Sequence, residues 1–237
     1  MKRHQAQWTT RLCTELKYST SAFFITLTHD EKSNNGNVNK ETIQKFLKRL
    51  RKHSKFRYYI ISEYGPETFR PHYHGLIFGF NASHDRFNEL LIQSWAQGFT
   101  SVGDVTEASI NYCTGYIFKK KIQPDGLEPN FCLMSRNPGI GYQYINELGN
   151  YHKTGKPKMY VTDLGGKKTA LPRYYAEKLY TPGIRKTESF NANRLRELKQ
   201  MEDQERCKEP DYYLYQEMLK EDFIAKENYK QSKKNKL

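Results

Sequence analysis

The feature that most narrows the fold is a pair of strand-like runs, Phe56 to Glu63 (FRYYIISE) and His72 to Phe80 (HYHGLIFGF), joined by a short connection that contains Gly65-Pro66. Aromatic and β-branched residues fill both runs, and so short a link returns the second along the first as an antiparallel hairpin. Other elements assemble around it. Ala22 to Thr28 (AFFITLT) reads as a buried strand. A polar loop, His29 to Asn39, leads to a helix that Asn39 caps, with Ile43, Phe46, Leu47 and Leu50 at helical spacing. A helix near Asp85 to Trp95, a short strand around Phe99 to Thr106 and a helix from about Glu107 to Lys121 follow. This order predicts an α+β fold, a central and mainly antiparallel sheet of about five strands flanked by helices.

Beyond that core the pattern weakens. Pro124 to Pro182 is rich in Gly, Pro and Tyr and reads as loops and short elements, while residues 187–232 are charged, helix-prone and interrupted at Pro210. The expected organisation is one domain over residues 1–185, with its core at about 20–122 and an extension over 123–185. A charged C-terminal helical tail over 186–237 completes it.

Charge points to the partner. The chain has 39 Lys and Arg against 26 Asp and Glu, a formal net charge of +13. The tail is nearly balanced, with 12 cations and 11 anions, so the excess sits in residues 1–185 and suits a polyanion such as nucleic acid. Eighteen tyrosines among these cations suit stacking on unpaired bases. Cys13, Cys113, Cys132 and Cys207 form no CxxC pair, which argues against a zinc ribbon or a disulfide framework and fits a reducing cytoplasm. With no long apolar run and a polar, basic start, a soluble and unexported protein is expected.

Two constellations carry chemistry. In RPHYHGLIF, His72 and His74 are two residues apart on a strand, so the pleat aims both imidazoles at one face. A carboxylate completes a ligand set for a divalent ion: Glu63 at the end of the preceding strand, or Glu67 in the turn. Such a set with open positions, facing phosphate oxygens, favours Mg or Mn, although zinc binds it too. In INYCTGYIFKKK, Tyr112, Tyr116, Lys119 and Lys120 lie at helical offsets that share a face. A phenol ionises only near pH 10, and nearby cations lower that cost. The reaction suggested is in-line attack of a tyrosine on a DNA phosphodiester, leaving a 5′-phosphotyrosine and a 3′ hydroxyl that can later reseal a strand.

At these residues the sequence resembles the His-hydrophobic-His (HUH) superfamily of rolling-circle replication initiators, specifically those of small microvirus (gokushovirus-like) phages. FFITLTHD resembles the first motif, EYGPETFRPHYHGLIFGF the metal motif and GDVTEASINYCTGYIFKKK the tyrosine helix, while SRNPGIG and LPRYYAEKLY resemble further stretches typical of the phage group. The resemblance implies an HUH endonuclease fold in which His72, His74 and Glu63 bind the metal. It also implies that Tyr112 and Tyr116 alternate as nucleophiles, nicking an origin and rejoining the strand to release circular single-stranded genomes. Lys119 stands three residues after Tyr116 whereas Gly115 takes that place after Tyr112, which favours Tyr116 for the first cleavage. Arg70, Lys120, Lys121 and Arg136 are the expected DNA contacts; Lys48, Arg49 and Arg51 form either a further contact or a solvated helix face. Without a GxxxxGK[ST] loop, unwinding and coating of origin DNA fall to a host helicase and single-strand-binding protein. Two other readings stay open: a non-catalytic single-stranded DNA binder, and a tyrosine transposase or plasmid mobilisation enzyme of the same superfamily.

Overall fold

The computed structural model describes residues 2–116, 126–162, 166 and 168–234, excepting the side chains of Lys2, Tyr116 and residues 230–234. The chain divides into two compact units, 1–179 and 180–237. In the first, the elements run α1 (Lys2–Lys17), β1 (Ala22–His29), α2 (Lys40–Leu50), β2 (Arg57–Tyr64), β3 (Pro71–Phe78), α3 (His84–Trp95), β4 (Gly98–Asp104) and α4 (Glu107–Tyr116). They continue as β5 (Cys132–Met134), α5 (Gln143–Lys153), β6 (Tyr160–Thr162), β7 (Lys168–Ala170) and α6 (Arg173–Leu179). The second unit holds two long helices, α7 (Pro182–Arg206) and α8 (Pro210–Lys234).

Five strands form one antiparallel sheet in the order β4-β1-β3-β2-β5, as the α+β reading expected. Alternation along the strands divides the core into two layers. Phe23, Ile25, Leu27, Ile60, Tyr73 and Ile77 face α2 and α3, where Ile43, Phe46, Leu47, Leu50, Phe87, Leu91 and Trp95 are buried. The opposite face carries Tyr59, Ile61, Leu76 and Phe78, covered by Leu12 of α1 and by Ile110 and Cys113 of α4. Asn39 caps α2 as its sequence predicts, its Oδ1 accepting from the amides of Glu41 at 2.8 Å and Thr42 at 3.2 Å. Gly75 is required at the centre of β3. A Cβ there would stand 2.9 Å from Ile25 Cγ1 and 3.0 Å from Ile60 Cγ1, too close for a well-packed core.

Two helices went unread in the sequence. The N-terminal α1 packs beside α4 on the sheet, joined to it by the contacts of Thr9 Oγ1 with Asn111 Oδ1 and Thr114 Oγ1, both at 3.2 Å. Glu15 of α1 is buried, paired with Arg57, and accepts from the Gly141 amide at 2.6 Å. This ties the SRNPGIG stretch to the first helix. Gly141 sits at φ +76, where a Cβ would meet the Tyr175 hydroxyl at 2.3 Å. The other unread helix, α5, lies in the Gly-, Pro- and Tyr-rich stretch expected to be loops and short elements, and carries buried Gly149 and His152. The last helix of the core is described to Tyr116, so the expected continuation to Lys121 lies outside the described residues.

Candidate functional site

The sheet register settles which carboxylate meets the histidines. On β2 and β3, Glu63 pairs with His72 and Ile61 with His74, and directly paired residues share a face. Glu63 therefore joins both histidines on the side covered by α1 and α4, whereas Glu67 is exposed in the turn. On the other flank of β3, Thr28 pairs with His72 and Thr26 with His74. One end of the sheet thus presents Thr26, Thr28, Glu63, His72 and His74 side by side.

From above, α4 lowers Tyr112 onto this group. Ile110 and Cys113 are buried beneath the helix, which turns Tyr112 toward its exposed edge at the strand ends. The phenol oxygen lies 3.4 Å from His74 Nε2 and 3.5 Å from Glu63 Oε2. His74 Nε2 and Glu63 Oε2 are themselves 3.6 Å apart. The Tyr112 ring stands edge-on to His74 at 5.0 Å between centroids. Phe24 stacks near-parallel on His74 at 6.0 Å and meets Tyr112 edge-on at 6.3 Å.

Hydrogen bonds orient both imidazoles. His72 Nδ1–H donates to the Arg70 carbonyl at 2.7 Å, which leaves the Nε2 lone pair for another partner. His74 Nδ1 is 3.1 Å from Thr26 Oγ1. The Arg70 backbone is fixed in turn: its carbonyl also accepts from the Gly65 amide at 3.0 Å, and its guanidinium donates to Glu31 at 2.5 Å and to the His29 carbonyl at 2.6 Å. Arg70, expected as a DNA contact, is therefore spent on holding the hairpin turn against the end of β1.

Of the residues read from the sequence, Glu63, His74 and Tyr112 converge within 3.6 Å of one another, and His72 is Glu63's cross-strand neighbour. Tyr116 ends α4 one turn beyond Tyr112, but its side chain, and Lys119, Lys120 and Lys121 entirely, lie outside the described residues. Arg136 is not brought to the site: the chain leaves β5 beside Tyr58, at the far end of β2 from Glu63. The sequence reading missed Phe24 and Thr26. Their signal was the two-residue period of AFFITLT, which places Phe24, Thr26 and Thr28 on one face.

Among the described residues, no three His, Cys, Asp or Glu side chains are gathered as a metal-ready cluster. The donor types nevertheless suit a hard divalent cation, since two imidazoles and a carboxylate share one face and His72 keeps a ring nitrogen available. No helix among the described residues is long and apolar enough to cross a membrane.

A tyrosine held over a histidine and a carboxylate at the open end of a sheet, in a strongly basic chain, is equipped for chemistry on an anionic ester. The comparisons agree with the class read from the motifs. Residues 22–121 match the model of the replication-associated protein ORF2 family. The chain is 28% identical to the replication-associated protein ORF2 of Spiroplasma virus 4 over 207 residues, covering 74% of this chain and 63% of that relative. It is 27% identical to the replication-associated protein VP4 of Bdellovibrio phage phiMH2K over 135 residues, 51% of this chain and 42% of that relative. The chain thus spans less than two thirds of the length of the curated relatives it matches. No solved structure matches it.

Proposed function

We propose that the chain initiates phage DNA replication by nicking single-stranded origin DNA with Tyr112 and later rejoining it, as an HUH endonuclease of the rolling-circle kind. The observation that carries this reading is the Tyr112 hydroxyl within 3.5 Å of both His74 and Glu63. At 38% exposure Tyr112 reaches both solvent and the site, so its proton can pass to water while its oxygen meets a phosphodiester. The phenolate oxygen bonds to phosphorus, the bond from phosphorus to the 3′ oxygen breaks, and that oxygen takes a proton from solvent. The link retained is a 5′-phosphotyrosine, and attack by a 3′ hydroxyl reverses the step and restores the strand. Tyr116, one helical turn on, is the second nucleophile in this scheme.

His72, His74 and Glu63 would hold Mg or Mn. When bound, the ion supplies positive charge that favours the phenolate and neutralises the phosphate. The protein's own part is orientation. Arg70 and Thr26 fix the two imidazoles, and Phe24 walls the Tyr112 ring. Lys119, Lys120 and Lys121, next along the chain, are proposed to add charge on the DNA. The scheme implies action in the host cytoplasm, with a host helicase and single-strand-binding protein as partners.

The test is covalent capture. The chain, incubated with Mn and a pool of labelled single-stranded phage DNA fragments, should give a band that survives denaturant and carries the 5′ side of the break. Tyr112→Phe combined with Tyr116→Phe should remove it, as should a chelator. Cleavage that persists in the double variant refutes a tyrosine mechanism; binding that ignores chelator and yields no adduct indicates a plain single-strand binder.

A further inference from the structure

A second basic feature lies away from the tyrosine. Along the edge where β5 closes the sheet, a groove of about 570 Å³ opens between the C-terminal end of α2 and the stretch after β5. Gln44, Arg51, Arg57, Tyr58, Ser135 and Arg136 line it, and no carboxylate is among its lining residues. Three guanidiniums therefore face one cavity. Arg57 is partly neutralised by Glu15 beneath it, but Arg51 and Arg136 are exposed.

The groove has features of a prepared anion site. Arg51 is held over Tyr58 at 5.1 Å and Phe56 at 5.4 Å from the ring centroids, so its planar fork is oriented before a ligand arrives. Gln44, Lys48 and Arg51 recur at spacings of four and three on α2, so exposed Lys48 lies on the helix face that forms the wall. The Ser135 hydroxyl accepts from the Tyr58 amide at 3.1 Å and fixes the opposite wall beside Arg136. Guanidiniums matched to phosphate oxygens, without competing carboxylates, select a phosphodiester chain.

The geometry points to this groove as a second DNA-binding site, one that grips the phosphate backbone of single-stranded DNA at a distance from the nick. The inference rests on the nicking reading for its biological sense, though not for its test. Arg57 and Glu63 are six residues apart on β2, a span of about 20 Å at ~3.3 Å per residue. Even at a rise of ~3.4 Å per nucleotide, that separation takes about six nucleotides to cross. Strands much shorter than this engage one site or the other; longer strands engage both.

Binding of fluorescent oligonucleotides, measured by anisotropy in chelator with Tyr112→Phe protein, isolates the groove from cleavage. For a strand of about 24 nucleotides, Arg51→Gln with Arg136→Ala should weaken binding about tenfold and lower the slope of log K against log salt by about 1.4, at ~0.7 per lost phosphate contact. A control of equal charge, Lys153→Ala with Lys178→Ala, should leave the slope near that of the parent. Arg136→Ala alone, in an exposed turn, should show about half the slope change without touching the Arg51 stack. Equal losses in the control reduce the effect to net charge and overturn the site. So does an unchanged slope, and so does a groove that captures an acidic peptide in preference to DNA. None of these outcomes depends on whether the tyrosine cuts.

Discussion

Thr26 offers a direct way to test whether the histidine pair is an ion site. Its Oγ1 lies 3.1 Å from His74 Nδ1, and the two residues are paired across β1 and β3, so the contact is built into the sheet. An Nδ1–H donated to Thr26 leaves the Nε2 lone pair toward Glu63 and Tyr112, which is the tautomer an ion at that nitrogen requires. Thr26→Val keeps the β-branched shape and removes the acceptor. A hydrogen bond of this kind contributes about 1 kcal/mol net, and at ~1.4 kcal/mol per decade its loss lowers affinity about fivefold. Removing outer partners of metal ligands commonly costs ~10- to 100-fold, so fivefold to tenfold is the expected range. Mn binding by calorimetry and the Mn concentration for half-maximal adduct should shift together, while the melting temperature stays near that of the parent. Thr26→Ser, which restores the oxygen, should recover most of the affinity. If Thr26→Val binds Mn as the parent does, His74 is not held by this contact for metal, and the ligand assignment loses its support.

Gly75→Ala should destabilise the protein by about 1–3 kcal/mol, because the new methyl group falls within 3.1 Å of Ile25 and Ile60 and the flanking strands must yield. Urea unfolding would show it, and a variant as stable as the parent would mean that this core has slack. Acid should weaken the fold before any carboxylate titrates: burial is the main cause holding His29 and His152 below their ordinary value of 6.5, against raising effects of Asp30 on His29 and of the Lys158 carbonyl on His152. Below that value the unfolded chain binds protons that the folded chain refuses, so stability is full above about pH 6.5 and declines as pH falls through it. The urea midpoint should therefore drop between about pH 7.5 and 5.5; a flat or rising midpoint contradicts the assignment of both imidazoles as neutral.

Local pattern carried most of the sheet into view. β1, α2 and the β2–β3 hairpin announce themselves through alternation, the Asn39 cap and a short turn, each set by residues close in sequence. The face shared by His72 and His74 was legible for the same reason. The choice between Glu63 and Glu67 was open because it depends on register, which the chain fixes only when Glu63 pairs with His72. Helix α1 was obscured by its polar composition, though Trp8, Leu12 and Leu16 stand four apart and Leu12 is fully buried. Arg70 and Arg136 were read by charge alone. Charge does not reveal that one is engaged with Glu31 and the His29 carbonyl, or that the other sits at the far end of the sheet.

The position of Tyr112 depends on parts of the chain outside the segment that matches the family model. That segment begins at Ala22, whereas Leu12 of α1 is buried in the cluster that contains Ile110 and Cys113, beneath the helix that carries the tyrosine. Thr9 and Gln5 hold the same helix by hydrogen bonds to Asn111, the residue before Tyr112. Glu15 then links α1 to Arg57 at the start of β2 and to Gly141 beyond β5, so the helix under the tyrosine is anchored to the sheet at both strands. A tyrosine that must meet phosphorus within a fraction of an ångström needs a rigid mount. Here that mount is α1, and the segment 22–121 without it would expose Ile110 and Cys113 and leave the phenol's height above His74 unset.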